Sequence, residues 1–215
     1  MVLLSQGKIF LPFEEKEIGV ASKLMVRAIA KATGFAVEKV EELFKKYGDL
    51  GKVAEELISK KKQSVFFKRP LTISFVFQRL REIGSYEGEG SQEKKLLGLS
   101  GLLILAEPIE ARYIVRSVLG ELRIGVAEGI IRDAIAQAFL KGIPKEEAVN
   151  WVDYAWNILG DFGEVAKIAS EEGIEGLKKV KPILGRPIQP MLGVKAESIE
   201  AVSYTHLTLP TTERV

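Results

Sequence analysis

The stretch EARYIVRSVLGELRIGVAEGIIRDAIAQAF, Glu110–Phe139, decides how the rest of the chain is read. Its first part places Ile114, Val115, Val118 and Leu119 at helical spacing and sets Arg112 and Arg116 one turn apart on a shared face. Gly120 predicts a C-terminal stop, because glycine enters the left-handed region without a Cβ clash. A second helix is predicted from near Val126, with Val126, Ile130, Ile131, Ala134, Ile135, Ala138 and Phe139 forming an apolar stripe. Arg123 lies in the loop between Gly120 and Gly125, beside a glycine and a helix start. Free N–H groups, the positive end of a helix and a guanidinium together suit a phosphate. A plain helical hairpin with a glycine turn and solvated arginines explains the same residues.

The helical period continues on both sides of this stretch. Upstream, Gly7–Glu17 is a loop-like lead-in, and Ile18, Ala21, Leu24, Met25, Ala28, Ile29 and Ala32 predict a helix over Ile18–Thr33, stopped by Gly34. Val37–Tyr47 follows, then a helix from Asp49 or Leu50 to Ser59, with Asp49 as its N-cap. Thr72–Ile83 and Gln92–Leu105 come next, the latter capped by Ser91, and Pro108 opens the central pair of helices. Downstream, Pro144–Leu159 carries Trp151 and Trp156, Glu164–Glu172 is helical, and a short turn of helix lies near Ile174–Val180. No sheet pattern competes, so the expected fold class is all-α, a compact domain of about nine to eleven helices.

Gly48-Asp-Leu-Gly-Lys-Val-Ala recurs as Gly160-Asp-Phe-Gly-Glu-Val-Ala, each copy at a predicted helix start. The echo predicts a pseudo-twofold internal repeat, in which two helix starts touch two places on one polyanion. A repeated capping turn with a core-facing Val-Ala is the other reading. Pro182, Pro187 and Pro190 then make Lys181–Leu192 extended. The expected organisation is a helical domain over 1–180, an extended linker over 181–201, and a threonine-rich, non-native tail over 202–215.

Composition narrows the chemistry. The 215 residues are 47% hydrophobic and 28% charged, as in folded domains, with no apolar run of membrane-spanning length. No cysteine is present, which excludes disulfides and thiolate metal sites and fits an intracellular protein. The one histidine, His206, lies in the tail, and no zincin, P-loop or calcium-loop motif occurs. Glu55-Glu56, Glu146-Glu147 and Glu171-Glu172 read as solvated helix faces, and Trp151 and Trp156 as core. Net charge is only +2, but Lys60, Lys61, Lys62, Lys68 and Arg69 cluster around Phe66 and Phe67. Gly90, Ser91, Lys94 and Lys95 offer a glycine loop, a cap and paired lysines, which serve either a phosphate or a solvated face. Together the glycine-opened helix starts and Arg112, Arg116 and Arg123 suit sequence-independent contact with a duplex backbone.

These motifs carry a family resemblance. Gly48-Asp-Leu-Gly with Val53-Ala-Glu, Gly90-Ser-x-x-Lys-Lys95, Glu110-Ala-Arg-Tyr-Ile-Val-Arg116, Leu122-Arg-Ile-Gly-Val-Ala-Glu128, Asp161-Phe-Gly and Gly185-Arg-Pro-Ile-Gln-Pro-Met-Leu192 resemble the N-terminal DNA-binding domain of archaeal-type ATP-dependent DNA ligases. The resemblance covers about Gly7–Ala196. It implies binding of nicked double-stranded DNA through the minor groove and phosphates by Gly48, Asp49, Leu50, Gly51, Gly90, Ser91, Lys94, Lys95, Arg116, Gly120, Arg123, Gly125, Asp161, Phe162 and Gly163. It implies a monomeric, cytoplasmic, nucleoid-associated protein whose parent enzyme uses ATP and Mg and engages a sliding clamp. It also implies one or two further helices ahead of the stretch matching Gly7, which are expected to be missing from this sequence. The family's Lys-x-Asp-Gly nucleophile does not occur in this sequence, so the chain is expected to bind DNA without sealing it alone. A helical protein-interaction scaffold is the competing expectation.

Overall fold

Apolar residues three and four apart, punctuated by left-handed glycines, set the helices one after another. The computed structural model describes residues 2–61 and 70–189. Among them are ten α-helices, a 3-10 turn at Pro12–Glu14, and no strand: α1 (Val2–Ser5), α2 (Ser22–Thr33), α3 (Val37–Tyr47), α4 (Leu50–Ser59), α5 (Ile73–Gly84), α6 (Ser91–Leu105), α7 (Pro108–Val118), α8 (Glu128–Phe139), α9 (Lys145–Leu159) and α10 (Phe162–Lys178). The all-α expectation holds. The basic segment from Lys62 to Arg69 and the tail with His206 lie outside the described residues.

Two hydrophobic clusters divide the helices. Helices α2 to α7 bury Met25, Ile29, Val40, Val53, Leu57, Leu80, Ile83, Leu99, Leu103 and Val115 in the first. Helices α8 to α10 bury Ile131, Ile135, Val152, Leu159, Phe162, Val165 and Leu177 in the second. This corrects the reading of the central stretch as a hairpin. Helix α7 packs on α4 in the first cluster, whereas α8 packs on α9 and α10 in the second, so residues 119–127 are a crossing between clusters. Gly120 sits just past the α7 cap at φ +70°, and the Glu121 amide donates to the Arg116 carbonyl at 2.9 Å, a Schellman turn that redirects the chain. The α8 stripe is narrower than expected. Ile131 and Ile135 are buried, but Ile130 and Phe139 are about half exposed.

Other boundaries move for local reasons. Helix α2 begins at Ser22, not Ile18, because Gly19 takes a left-handed conformation and the N-cap Ala21 is extended. Gly90, not Ser91, occupies the N-cap of α6. The break expected between Glu164–Glu172 and the turn of helix near Ile174 falls within α10 at Gly173, whose non-helical backbone (φ 63°, ψ −149°) kinks the element there.

Helices α4 and α7 approach closely because of Gly51. A Cβ there would stand 2.7 Å from the Arg112 carbonyl oxygen and 2.8 Å from Arg116 Cγ. The lead-in is more ordered than a loop. Val2 packs on the second cluster, Leu4 and Phe10 on the first, and Ile9 and Ile18 are buried in the first. Lys8 Nζ donates to Glu128 Oε1 at 2.8 Å, tying this segment to the start of α8. Arg81 on α5 holds its middle, donating to the Ile9 carbonyl at 3.1 Å, pairing with Glu14 and lying over the Phe10 ring. Residues 2–21 therefore form a strap across both clusters.

Candidate nucleic-acid interface

The first Gly-Asp-x-Gly turn joins α3 to α4. Gly48 ends α3 in the left-handed region (φ 61°, ψ 18°), its N–H donating to the Phe44 carbonyl at 2.8 Å. Asp49 is extended, and its Oδ1 accepts from the Gly51 amide at 2.8 Å and the Lys52 amide at 3.3 Å. Leu50, Val53 and Ala54 point into the core. The second turn repeats this conformation between α9 and α10. Gly160 has φ 66° and ψ 9°, Asp161 is extended, and its Oδ1 accepts from the Gly163 amide at 2.7 Å. Phe162 is buried and stacks on Trp156, with ring centroids 5.0 Å apart. Capping and core packing thus account for each letter of the shared motif, including Val165 and Ala166.

The arginines behave differently from one another. Arg116 Nη2 and Nε donate to Asp49 Oδ2 at 2.5 and 3.2 Å, with the two side chains only 11% and 5% exposed. Burial pushes the Asp49 carboxyl up, but the Arg116 guanidinium and the Lys52 and Gly51 amides outweigh it and hold it below the usual carboxylate value. Arg112 pairs with Glu55 on the same α4 face. Arg123 alone of the three stands in the open. It holds a left-handed φ of 54°, uncommon for a residue with a Cβ, and its Nη2 donates to the Gly48 carbonyl at 3.3 Å and Glu121 Oε2 at 2.5 Å.

The structure therefore joins Gly48, Asp49, Leu50, Gly51, Arg116 and Arg123 in one place, flanked by exposed Gly120 and Gly125. Gly90, Ser91, Lys94 and Lys95 sit at the start of α6. The N-cap Gly90 supplies no side-chain cap, the Ser91 amide donates to the Gly88 carbonyl at 3.2 Å, and Gly90 and Lys94 are exposed. Lys95 turns inward, buried, and donates to the Ile18 carbonyl at 2.7 Å. An open groove of about 600 Å³ lies between residues 16–21 and 117–120. Asp161, Phe162 and Gly163 belong to the second cluster, beside a cleft of about 150 Å³ that Lys8, Glu128 and Gly160 line.

Lys8 and Arg81 are not singled out by the sequence, and Arg186 enters there only within the Gly185–Leu192 motif. Arg186 pairs with Glu164 on α10 and lies over the Phe13 ring, and the Gln189 amide donates to the Asn157 carbonyl at 2.9 Å. The aromatic residues Phe10 and Phe13 in a supposed loop were the available signal, since such rings rarely stay in water without a partner.

Fold and site define an all-helical module that displays glycine-opened turns and an exposed arginine beside one of them. Residues 1–136 match the family model described as the DNA ligase N terminus. A DNA ligase of Nanoarchaeum equitans is 51% identical over 199 residues, covering 93% of this chain and 34% of the relative. DNA ligases of Methanothermobacter thermautotrophicus and Thermococcus fumicolans are each 43% identical, over 94% and 90% of this chain and 35% and 34% of their own length. The chain belongs to the DNA ligase N-terminus family and spans about a third of the length of these curated relatives.

Proposed function

We propose that this domain grips nicked double-stranded DNA through the minor groove and phosphate backbone, without reading sequence, as part of an ATP-dependent DNA ligase. The parent enzyme would seal nicks in replication, repair and recombination, acting as a monomer near the nucleoid and engaging a sliding clamp. The observation that carries the reading is the α3–α4 turn, where exposed Gly48 and Arg123 share a hydrogen bond. Small residues let main chain approach a groove, and a guanidinium beside them matches a phosphate. Exposed Gly90, Lys94 and the start of α6 offer a second contact of the same kind. The Asp161–Gly163 turn, alike in conformation, offers a third.

ATP and Mg belong to the parent's chemistry: ATP supplies the adenylyl group that activates the 5′-phosphate at the nick. Among the described residues, no three or more His, Cys, Asp or Glu side chains gather in one place. No helix among them is long and apolar enough to cross a membrane.

Fluorescence anisotropy with a labelled nicked duplex tests the reading. Saturable binding is expected, with the logarithm of affinity falling linearly with the logarithm of salt concentration. Absence of saturable binding at low salt would favour a protein-interaction scaffold instead.

A further inference from the structure

The two matching turns are held in different ways. Asp49 caps α4 and is gripped by Arg116. Asp161 caps α10 through Gly163, and among the described residues no cation stands within ion-pair distance of it. The difference matters for a polyanion. A capping carboxylate opposes a nearby phosphate by like charge, and Arg116 cancels that charge at α4 alone. Both Nε and Nη2, one edge of the guanidinium, are committed to Asp49, and the group also lies near the Tyr113 ring at 5.8 Å. Arg116 stands behind the turn, while Arg123 reaches Gly48 from the exposed side.

We propose that Arg116 is a positioning residue for duplex binding. It acts through Asp49, fixing the Gly48–Leu50 turn and neutralising its carboxylate, and it touches no phosphate itself. The inference rests on the DNA-binding reading above. It assigns direct contact at this turn to Arg123 and to main chain, and it makes the α4 turn the rigid member of the pair.

Salt-dependent binding separates positioning from contact. In Arg116→Gln and Arg116→Lys, affinity for a nicked duplex should fall on the order of tenfold, the size of one lost charge-assisted hydrogen bond. The salt slope should stay at the wild-type value. A phosphate ligand would instead lose about 0.9 of slope in the Gln variant and be largely rescued by Lys. Lysine keeps the charge but cannot form the two-pronged grip, so it should not rescue a positioning role. Amide hydrogen exchange supplies a reading that needs no DNA: Gly51 and Lys52 should exchange faster in both variants, and Gly163 should not change. Where Arg116→Gln melts below the assay temperature, Arg116→Lys decides. Wild-type affinity in a folded Arg116→Lys, unchanged exchange at Gly51 and Lys52, or a slope reduced by about one counterion overturns the inference. Failure of the wild-type chain to bind duplex would instead sink the proposed function, leaving the exchange result to say whether Arg116 holds the turn.

Discussion

Lys95 and Ile18 are joined by a 2.7 Å hydrogen bond from a buried ammonium to a main-chain carbonyl. Its neighbour Lys94 is exposed, because successive residues on a helix point about 100° apart. Two adjacent lysines that look alike in sequence therefore do different work. One pins the extended strap to α6, and the other faces solvent.

Lys95→Met should lower unfolding free energy by about 1–3 kcal/mol, since the Ile18 carbonyl is left without its donor. Its salt slope for duplex binding should match wild type. Lys94→Ala should leave stability within about 0.5 kcal/mol and reduce the slope by about one. Urea unfolding and anisotropy titrations on both variants check the pair of outcomes.

Acid should weaken the Asp49–Arg116 pair in a defined direction. The Asp49 carboxyl is held below its ordinary value in the folded protein. Its contribution is complete above the unfolded-state value of about 3.9 and is lost as pH falls through the lower folded value. Asp49→Asn keeps the cap but removes the charge. It should be less stable than wild type by about 1–3 kcal/mol at pH 7. The gap should begin to close as pH falls past about 4, where the unfolded-state carboxyl takes up its proton, and should vanish below the lower folded value, where the native carboxyl is neutral too. Denaturation midpoints between neutral and strongly acidic pH reveal the convergence; a gap independent of pH contradicts it.

Alanine at two helical glycines should act with opposite sign. A Cβ at Gly101 on α6 meets nothing within 4 Å, so Gly101→Ala should stabilise by about 0.5–1 kcal/mol through helix propensity alone. At Gly51 the new methyl would press on the α7 backbone at 2.7 Å. The overpacking cost of about 1–3 kcal/mol exceeds the propensity gain. Thermal melts of the two variants should shift in opposite directions.

Arg81→Ala should loosen the strap. It removes the Glu14 pair, the hydrogen bond to Ile9 and the contact with Phe10 together. A loss of about 1–2 kcal/mol is expected, limited by the partial exposure of the pair. Limited proteolysis should then cut first between Ile9 and Ile18, and unchanged protection there would contradict the role.

Much of the fold was legible because local rules act alone on most helices. Val37–Tyr47 and the Asp49-capped Leu50–Ser59 fall where period and capping place them. What escaped was partner choice. The stripe on Glu128–Phe139 says that a helix buries one side but not against which neighbour, so α7 and α8 read as a pair although they belong to separate clusters. In the site, the residue types around Gly48 and Arg123 were readable, and their meeting is the 3.3 Å hydrogen bond between them. The inward turn of Lys95 and the grip of Arg116 on Asp49 were not readable. Both depend on residues 77 and 67 positions away in the chain.

The strap has a consequence for a broken chain. Residues 119–127 are the covalent crossing between the clusters, yet Val2 packs on the second cluster and Lys8 grips Glu128. A protease cut between Gly120 and Val126 would thus yield two pieces that stay associated, because the leading segment of one already clasps the body of the other. The same two pieces, made separately, should reassemble on mixing.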